Sequence, residues 1–188
     1  MPTISKLNIV NNALRELNIE RINALTDNTK RAQVMNDIYD VVRLEMIEES
    51  PWNWATKRIK LTPDPTQPDF GWENRFALPA DFISASREDD DEKYEIEGRY
   101  LLADAEEVKL IYTADIQDTY QMPPMFIKAL YLELAVRAAH SLGQDKSHKQ
   151  ILVNLAEAAL AKARSSSAQQ DDSDINIDAE SIIDARRT

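Results

Sequence analysis

The stretch Ser50-Pro51-Trp52-Asn53-Trp54-Ala55-Thr56-Lys57-Arg58-Ile59-Lys60-Leu61 marks a change from one type of secondary structure to another. Apolar residues before it, from Val34 to Met46, recur at the spacing of one helix face. Pro51 then disfavours helical geometry in the residue that precedes it. Residues 55–62 alternate between apolar and charged side chains, which is typical of a β-strand. The sequence therefore predicts a helical N-terminal part that gives way to a sheet near residue 55.

Further helices are predicted on both sides of this point. Residues 3–18 form a helical pattern, and Thr26 or Asp27 is a plausible N-cap for the helix that ends before Pro51. After the sheet, a third helix should begin at Pro123-Pro124, where a missing N–H is tolerated. Gly143 is well placed to end it, and a fourth helix follows from about Lys146.

The middle of the chain contains several short strand candidates. Three prolines between Pro63 and Pro68 predict a loop, and Pro79 separates two of the strands. Glu97-Gly98-Arg99 is typical of a hairpin turn. The candidate strands cover residues 75–78, 82–86, 93–97, 100–103 and 107–113. Together they predict one small antiparallel sheet.

The predicted fold class is α+β, because helices and strands are segregated along the chain. We expect a four-helix bundle with a small antiparallel β-sheet inserted between helices 2 and 3, plus an extended C-terminal arm. The predicted domains are a helical bundle of residues 1–54 and 120–167, a sheet insertion of residues 55–119, and a docking arm of residues 168–188.

The composition of the 188 residues excludes several kinds of site. There is no Cys, so thiolate metal sites and thiol nucleophiles are absent, and there are only two His. The three glycines lie far apart, which argues against glycine-rich phosphate loops. No apolar stretch is long enough to span a membrane. The sequence therefore predicts a non-enzymatic protein with no cofactor, no metal and no membrane contact.

The formal charge of −11 is unevenly distributed. Residues 88–107 carry −8, residues 169–188 carry −4, and the other 148 residues sum to +1. The densest acidic run is Asp89, Asp90, Asp91 and Glu92. These acids lack the spaced ligands and glycine of a calcium loop, so a solvated surface is the simpler interpretation. A repulsive wall or a partner-binding patch is the functional alternative.

The other candidate chemical groups are weaker. His140 and His148 lie on either side of a predicted helix break, and no base lies near Ser165–Ser167 in sequence. A pair of carboxylates acting on a glycan remains an open alternative, because such a pair is defined in space and not in sequence.

A basic cluster follows the two tryptophans of the opening stretch. Lys57, Arg58 and Lys60 next to Trp52 and Trp54 could contact single-stranded nucleic acid. An interface or packing role for Trp52, Trp54, Lys57 and Arg58 explains the cluster equally well, and we favour it.

The C-terminal region is polar from Ser165 onward, and such a composition alone favours disorder. Apolar and basic residues are nevertheless interspersed near its end: Ile175, Ile177, Ile182, Ile183, Arg186 and Arg187. These residues predict an arm that docks onto a partner.

Several strings of the sequence, taken in order, indicate a resemblance to a known protein family. The most specific are Pro51-Trp52-Asn53-Trp54-Ala55-Thr56-Lys57-Arg58 and Leu78-Pro79-Ala80-Asp81-Phe82. They follow Asn36-Asp37-Ile38-Tyr39-Asp40 and precede Leu110-Ile111-Tyr112 and Pro124-Met125-Phe126-Ile127-Lys128. Over residues 3–165 the chain resembles the tail tubular protein A family of short-tailed bacteriophages, which are head-to-tail adaptors beneath the portal.

This resemblance implies a dodecameric homo-oligomeric ring in the neck of the virion, between the portal protein and the tail nozzle protein. It implies a structural role in which packaged DNA passes through the lumen and is ejected without specific binding. Asp89, Asp90, Asp91 and Glu92 would line the lumen or an acidic surface, and the C-terminal isoleucines and arginines would bind the portal. Two other classes remain as alternatives: a tail-associated glycan hydrolase and a monomeric acidic protein-binding module.

Overall fold

The structure is a computed structural model that describes residues 4–85 and 93–184, with side chains up to residue 169. The chain divides into two compact units, which are described separately below. The helical unit comprises Met1–Trp54 and Gln117–Thr188, and the β unit comprises Ala55–Ile116. In the described residues, no helix is both long enough and apolar enough to cross a membrane.

The helical unit contains four α-helices and one short 3₁₀ turn. These elements are α1 (Lys6–Glu16), α2 (Lys30–Glu48), the turn Asn53–Ala55, α3 (Pro124–Ala139) and α4 (Lys146–Asp184). Helix α3 packs against α1, α2 and α4. Leu130, Leu134 and Ala138 of α3 are fully buried. The core of this unit therefore lies around α3.

The caps explain where the first two helices begin. Ser5 accepts a hydrogen bond from the backbone N–H of Asn8, and Thr29 accepts one from that of Ala32. The predicted N-caps Thr26 and Asp27 of α2 are wrong. The Asp27 carboxylate instead accepts hydrogen bonds from the backbone N–H groups of Asn23 and Ala24, which stabilise the preceding turn.

The β unit contains six strands in two sheets. The strands are β1 (Thr56–Leu61), β2 (Asn74–Ala77), β3 (Phe82–Ala85), β4 (Tyr94–Glu97), β5 (Tyr100–Ala103) and β6 (Val108–Ala114). The first sheet has the order β1-β6-β3, and the second has the order β2-β5-β4; all pairs are antiparallel. The predicted hairpin is confirmed, because Glu97 pairs with Tyr100 and Gly98 has a φ of 58°.

The expected architecture of a four-helix bundle with one small inserted sheet is wrong. Two separate three-stranded sheets lie between α2 and α3 in the chain. Proline interrupts the polypeptide after β1 and again between β2 and β3, and each proline removes a donor that a continuous ladder needs. These prolines separate consecutive strands along the chain, and pairing between distant strands forms the two groups: β6 lies between β1 and β3, while β5 lies between β2 and β4.

The expected extended C-terminal arm is also wrong, because α4 continues as helix to Asp184. The sequence after Gly143 contains neither glycine nor proline, so it lacks the residues that most often end a helix. The polar composition that predicted an irregular segment is compatible with a helix, since alanine, glutamine and serine do not interrupt its hydrogen bonds.

Each sheet has one face that is more buried than the other, although Leu102 on the outer face of the second sheet is buried as well. In the first sheet the residues at alternate positions of β6 are buried: Val108, Leu110, Tyr112 and Ala114. In the second sheet, Phe76, Leu101 and Ala103 are buried in the same way. Because side chains alternate along a strand, the residues between them lie on the opposite, outer faces.

Candidate functional site

The aromatic residues of the opening stretch form a cluster with α3. Trp52 is 1% exposed, and its indole N–H donates a 2.8 Å hydrogen bond to the carbonyl oxygen of Met46. Its ring centroid lies 5.1 Å from that of Phe126, and the Trp54 centroid lies 4.6 Å from the same ring. Such edge and tilted contacts stabilise aromatic clusters. These two tryptophans thus pack within the helical unit.

Asn53 joins the same segment to α4. Its side-chain amide donates a 2.9 Å hydrogen bond to the carbonyl oxygen of Ser167, and its backbone N–H donates to the Ser167 hydroxyl. Ser167 is buried, although it belongs to the polar run from Ser165 whose composition alone favours disorder. These bonds fix the position of α4 relative to the end of α2.

In the β unit, Lys57 forms an ion pair with Asp81. The Lys57 ammonium lies 2.6 Å from one oxygen of the Asp81 carboxylate, and the Tyr112 hydroxyl donates to the other at 3.1 Å. The hydrogen bond from Lys57, more than any other contact, lowers the pKa of Asp81. Burial, followed by the hydrogen bond to Asp81, raises the pKa of Tyr112 to about 12. At neutral pH the Asp81 carboxylate is therefore ionised and the Tyr112 hydroxyl is neutral, which suits the contacts that each makes.

The outer face of the first sheet carries three cations, which we call the basic face: Arg58, Lys60 and Lys109. All three side chains are exposed. Lys60 and Lys109 are direct cross-strand partners in the register of β1 and β6, and Arg58 lies opposite Ile111. Lys60 forms an ion pair with Glu107 at 3.0 Å. Within residues 4–85 and 93–169, neither the Arg58 nor the Lys109 side chain has a hydrogen-bond or ion-pair partner.

The outer face of the second sheet forms the floor of a cleft of about 560 Å³, which the loop from Thr66 to Trp72 covers on one side. We call this surface the acidic cleft, after Asp69, Glu95 and Glu97. Glu95 accepts a 3.3 Å hydrogen bond from the Trp72 indole. Asp69 and Glu97 have no such partner among the residues whose side chains the structure describes.

Two further features shape the acidic cleft. Phe70, in its loop, is 89% exposed, which is unusual for so large an apolar side chain. The Arg75 guanidinium lies 4.4 Å from the centre of the Tyr100 ring and forms an ion pair with Asp64 at 3.0 Å. A backbone hydrogen bond from Thr66, together with Arg75, lowers the pKa of Asp64. Arg75 therefore already has an anionic partner of its own.

Several predicted site residues fall outside what the structure describes. Asp89, Asp90, Asp91 and Glu92 of the acidic run lie beyond the described ranges, as do Arg186 and Arg187. The isoleucines Ile175, Ile177, Ile182 and Ile183 lie in the part of α4 for which only the backbone is described. The lumen and portal-binding roles of these residues stay predictions.

His148 is held between α1 and the start of α4. The imidazole Nε2 of His148 lies 2.9 Å from the carbonyl oxygen of Glu16, and its backbone N–H donates to Asp145 near the start of α4. Across the described part of the chain, no group of three or more His, Asp or Glu residues is arranged to hold a metal ion.

Sequence analysis missed the acidic cleft and part of the basic face. Lys109 occupies an outward position of the most regular alternating strand, so the alternation itself could have indicated it. Phe70 and Trp72 lie in a loop after three prolines, and no local pattern there predicts a cleft. The pairing of β5 with β2, the strand that follows that loop, places Glu95 and Glu97 beside it.

Comparisons with known proteins do not assign the chain. No protein-family model matches it, and no curated protein matches it either.

Proposed function

We propose that this protein is a structural head-to-tail adaptor of a short-tailed bacteriophage, one copy of a ring between the portal and the tail nozzle. The observation that carries the proposal is the resemblance of two ordered strings, residues 51–58 and 78–82, to the tail tubular protein A family. Residues of both strings form specific contacts within the chain. Trp52 and Asn53 bind α2 and α4, and Lys57 forms an ion pair with Asp81.

The distribution of charge is consistent with a DNA-conducting ring. Twelve copies at −11 each would carry a formal charge of about −130, and an acidic lumen would repel DNA phosphates. In this proposal Asp89, Asp90, Asp91 and Glu92 line the lumen or its rim. Replacement of Asp89, Asp90 and Asp91 by lysine should then slow genome ejection, measured as DNA release from purified virions. An unchanged ejection rate would remove this part of the proposal.

The C-terminal part of α4 is proposed to bind the portal. Because α4 is helical to Asp184, the expected mode is a helix laid against a groove, with isoleucines as the apolar anchors. Repetition around the ring would strengthen a weak individual contact. A chain that lacks residues 169–188 should fold normally and fail to attach to the portal. Full attachment of this shortened chain would contradict the proposed role of the segment.

The glycan hydrolase alternative receives no support from the carboxylates with shifted pKa values. A general acid needs a pKa raised towards neutrality, whereas the pKa values of Asp64 and Asp81 are both lowered. Each of these carboxylates is held by a cation, Arg75 and Lys57 respectively. Neither has the properties of a catalytic acid.

The decisive experiment is co-sedimentation of the purified full chain with portal rings of the phage that encodes it. Native mass spectrometry of the complex then gives the number of copies. Twelve copies per portal are expected for the adaptor. A folded chain that stays monomeric and does not bind the portal would contradict the proposal and favour the monomeric binding module.

A further inference from the structure

The basic face contains an arrangement that is unfavourable in an isolated chain. Lys60 and Lys109 lie directly opposite each other on β1 and β6, and like charges at such positions destabilise a sheet. Glu107 compensates for Lys60 only, at 3.0 Å. Lys109 and Arg58 remain without a partner among the described side chains. An anionic surface placed on this face would remove the repulsion.

Protection of an edge strand does not account for all three cations. Lysines on an edge strand do prevent unwanted strand pairing, and β1 is at the edge of its sheet. Lys109, however, belongs to β6, which lies between β1 and β3. Edge protection therefore does not account for Lys109, whose outward position suits either solvent or an anionic partner.

The acidic cleft has the complementary properties. It presents Asp69, Glu95 and Glu97, and the side chains of Asp69 and Glu97 have no hydrogen-bond or ion-pair partner among the described side chains. At its rim, Phe70 is 89% exposed. The basic face has a half-buried apolar residue between its charges, Ile111, which lies opposite Arg58. The two surfaces belong to different sheets and have no residue in common.

We propose that the basic face of one copy binds the acidic cleft of the next copy, with Phe70 packed against Ile111. Since two different surfaces meet, the contact is heterologous, and repetition of it generates a closed ring when the rotation between copies is suitable. Exposed ion pairs contribute little individually. Burial of Phe70 in the contact, and repetition of the contact around the ring, therefore supply much of the stability of the assembly. The inference rests on the proposed ring and adds the surfaces that build it.

Nucleic acid fits the basic face less well than a second copy does. The β unit contains eight Lys and Arg against fifteen Asp and Glu, a formal charge of −7. Three cations on such a unit would neutralise few phosphates, and binding to DNA depends mainly on the number neutralised. The two carboxylates of the acidic cleft without side-chain partners, Asp69 and Glu97, in contrast match the two unpaired cations of the basic face, Arg58 and Lys109.

A reciprocal charge reversal tests the contact. One variant carries Arg58→Glu and Lys109→Glu, and the other carries Asp69→Lys and Glu97→Lys; all four residues are exposed. Control variants of equal charge change carry Lys128→Glu with Lys149→Glu, or Glu48→Lys with Glu106→Lys, also at exposed positions. Circular dichroism verifies folding. Assembly of the full chain is measured by native mass spectrometry and sedimentation velocity, with and without portal rings.

We expect each reversal alone to raise the concentration needed for assembly at least tenfold, because surfaces of like charge then meet. An equimolar mixture of the two variants should recover assembly, since copies of the two kinds can alternate around a ring. Neither control should change assembly. Recovery in the mixture is the result that a merely structural effect of the substitutions would not give.

Other outcomes overturn the inference. Wild-type rings of twelve on the portal, together with reversed variants that assemble equally well, would refute the contact and leave the adaptor proposal intact. Loss of assembly in both variants without recovery in the mixture would show that the two surfaces do not meet. Binding of a 30-base-pair duplex that Arg58→Glu/Lys109→Glu abolishes, with assembly unchanged, would assign the basic face to DNA. A wild-type chain that stays monomeric with and without the portal would refute both proposals.

Discussion

The Lys57 ammonium lies 2.6 Å from the Asp81 carboxylate, and this ion pair joins strand β1 to the residue just before β3. The two residues are 24 positions apart in the chain. Their strands lie at opposite edges of the first sheet, with β6 between them. Tyr112 of β6 donates to the same carboxylate, so one aspartate connects all three strands.

Replacement of Asp81 by asparagine should lower the free energy of unfolding of the β unit by about 1 kcal/mol at pH 7. The substitution keeps an acceptor for Tyr112 but removes the charge that binds Lys57. Urea unfolding followed by circular dichroism measures the difference. Glu106→Gln, at an exposed position, serves as the control and should change stability little.

The Asp81→Asn substitution should also make the free energy of unfolding less dependent on pH in the acidic range. The pKa of Asp81 is lowered in the folded state from its ordinary value of 3.8. Its contribution is therefore present above pH 3.8 and is lost as the pH falls through the folded pKa. The difference in free energy of unfolding between the wild type and Asp81→Asn should therefore vanish in that pH range. A constant difference down to pH 2 would contradict the assignment.

Replacement of Tyr39 by phenylalanine should leave stability at pH 7 unchanged or raise it by about 1 kcal/mol, because the buried hydroxyl has no hydrogen-bond partner within the described residues. The aromatic ring, which Lys6 approaches to 4.4 Å, is retained. Thermal unfolding provides the measurement. A loss of more than 1 kcal/mol would indicate that the hydroxyl has a favourable contact.

The raised pKa of Tyr39 also predicts that the free energy of unfolding decreases at alkaline pH. Burial, its largest cause, raises the pKa of Tyr39 from 10.0 to about 12. The unfolded chain therefore ionises first, and stability falls as the pH rises from about 10 to about 12. Tyr39→Phe should be less sensitive in this window. Absorbance at 295 nm follows tyrosine ionisation, and identical alkaline profiles for both proteins would contradict the prediction.

Truncation of Trp52 to alanine should cost about 3–5 kcal/mol, the usual range for a fully buried large aromatic residue. The substitution removes the contacts with Phe126 and leaves the Met46 carbonyl without its indole donor. Val41→Ala is the matched control, since Val41 is 53% exposed on the preceding helix. Chemical unfolding of both variants gives the comparison. Equal losses for Trp52 and Val41 would refute the anchoring role of Trp52.

Replacement of Lys109 by glutamate should stabilise the β unit by about 0.2–1 kcal/mol, because an opposite charge then faces Lys60. If the basic face is an assembly surface, the same variant should assemble less well. Differential scanning calorimetry of dilute protein gives the stability, and sedimentation velocity gives the assembly. A variant that is less stable would show that Lys109 has a favourable role within its own chain.

The sequence alone determined where most of the helices and strands lie. The spacing of apolar residues and the prolines and glycines act within a few residues, so Pro51, Gly98 and Gly143 mark boundaries that can be predicted locally. The charge distribution, the lack of cysteine and the strings behind the proposed function are likewise properties of the sequence itself.

Apart from the β4–β5 hairpin, only the tertiary structure decided how the strands pair and which charges meet. Whether β5 pairs with β2, or β6 with β1, depends on contacts between residues distant in the chain, and no local pattern encodes them. For this reason the sequence predicted one sheet where the structure has two, and it did not predict that Lys60 lies opposite Lys109. The acidic cleft arises in the same way, because the pairing of β5 with β2 brings Glu95 and Glu97 beside the loop that carries Phe70.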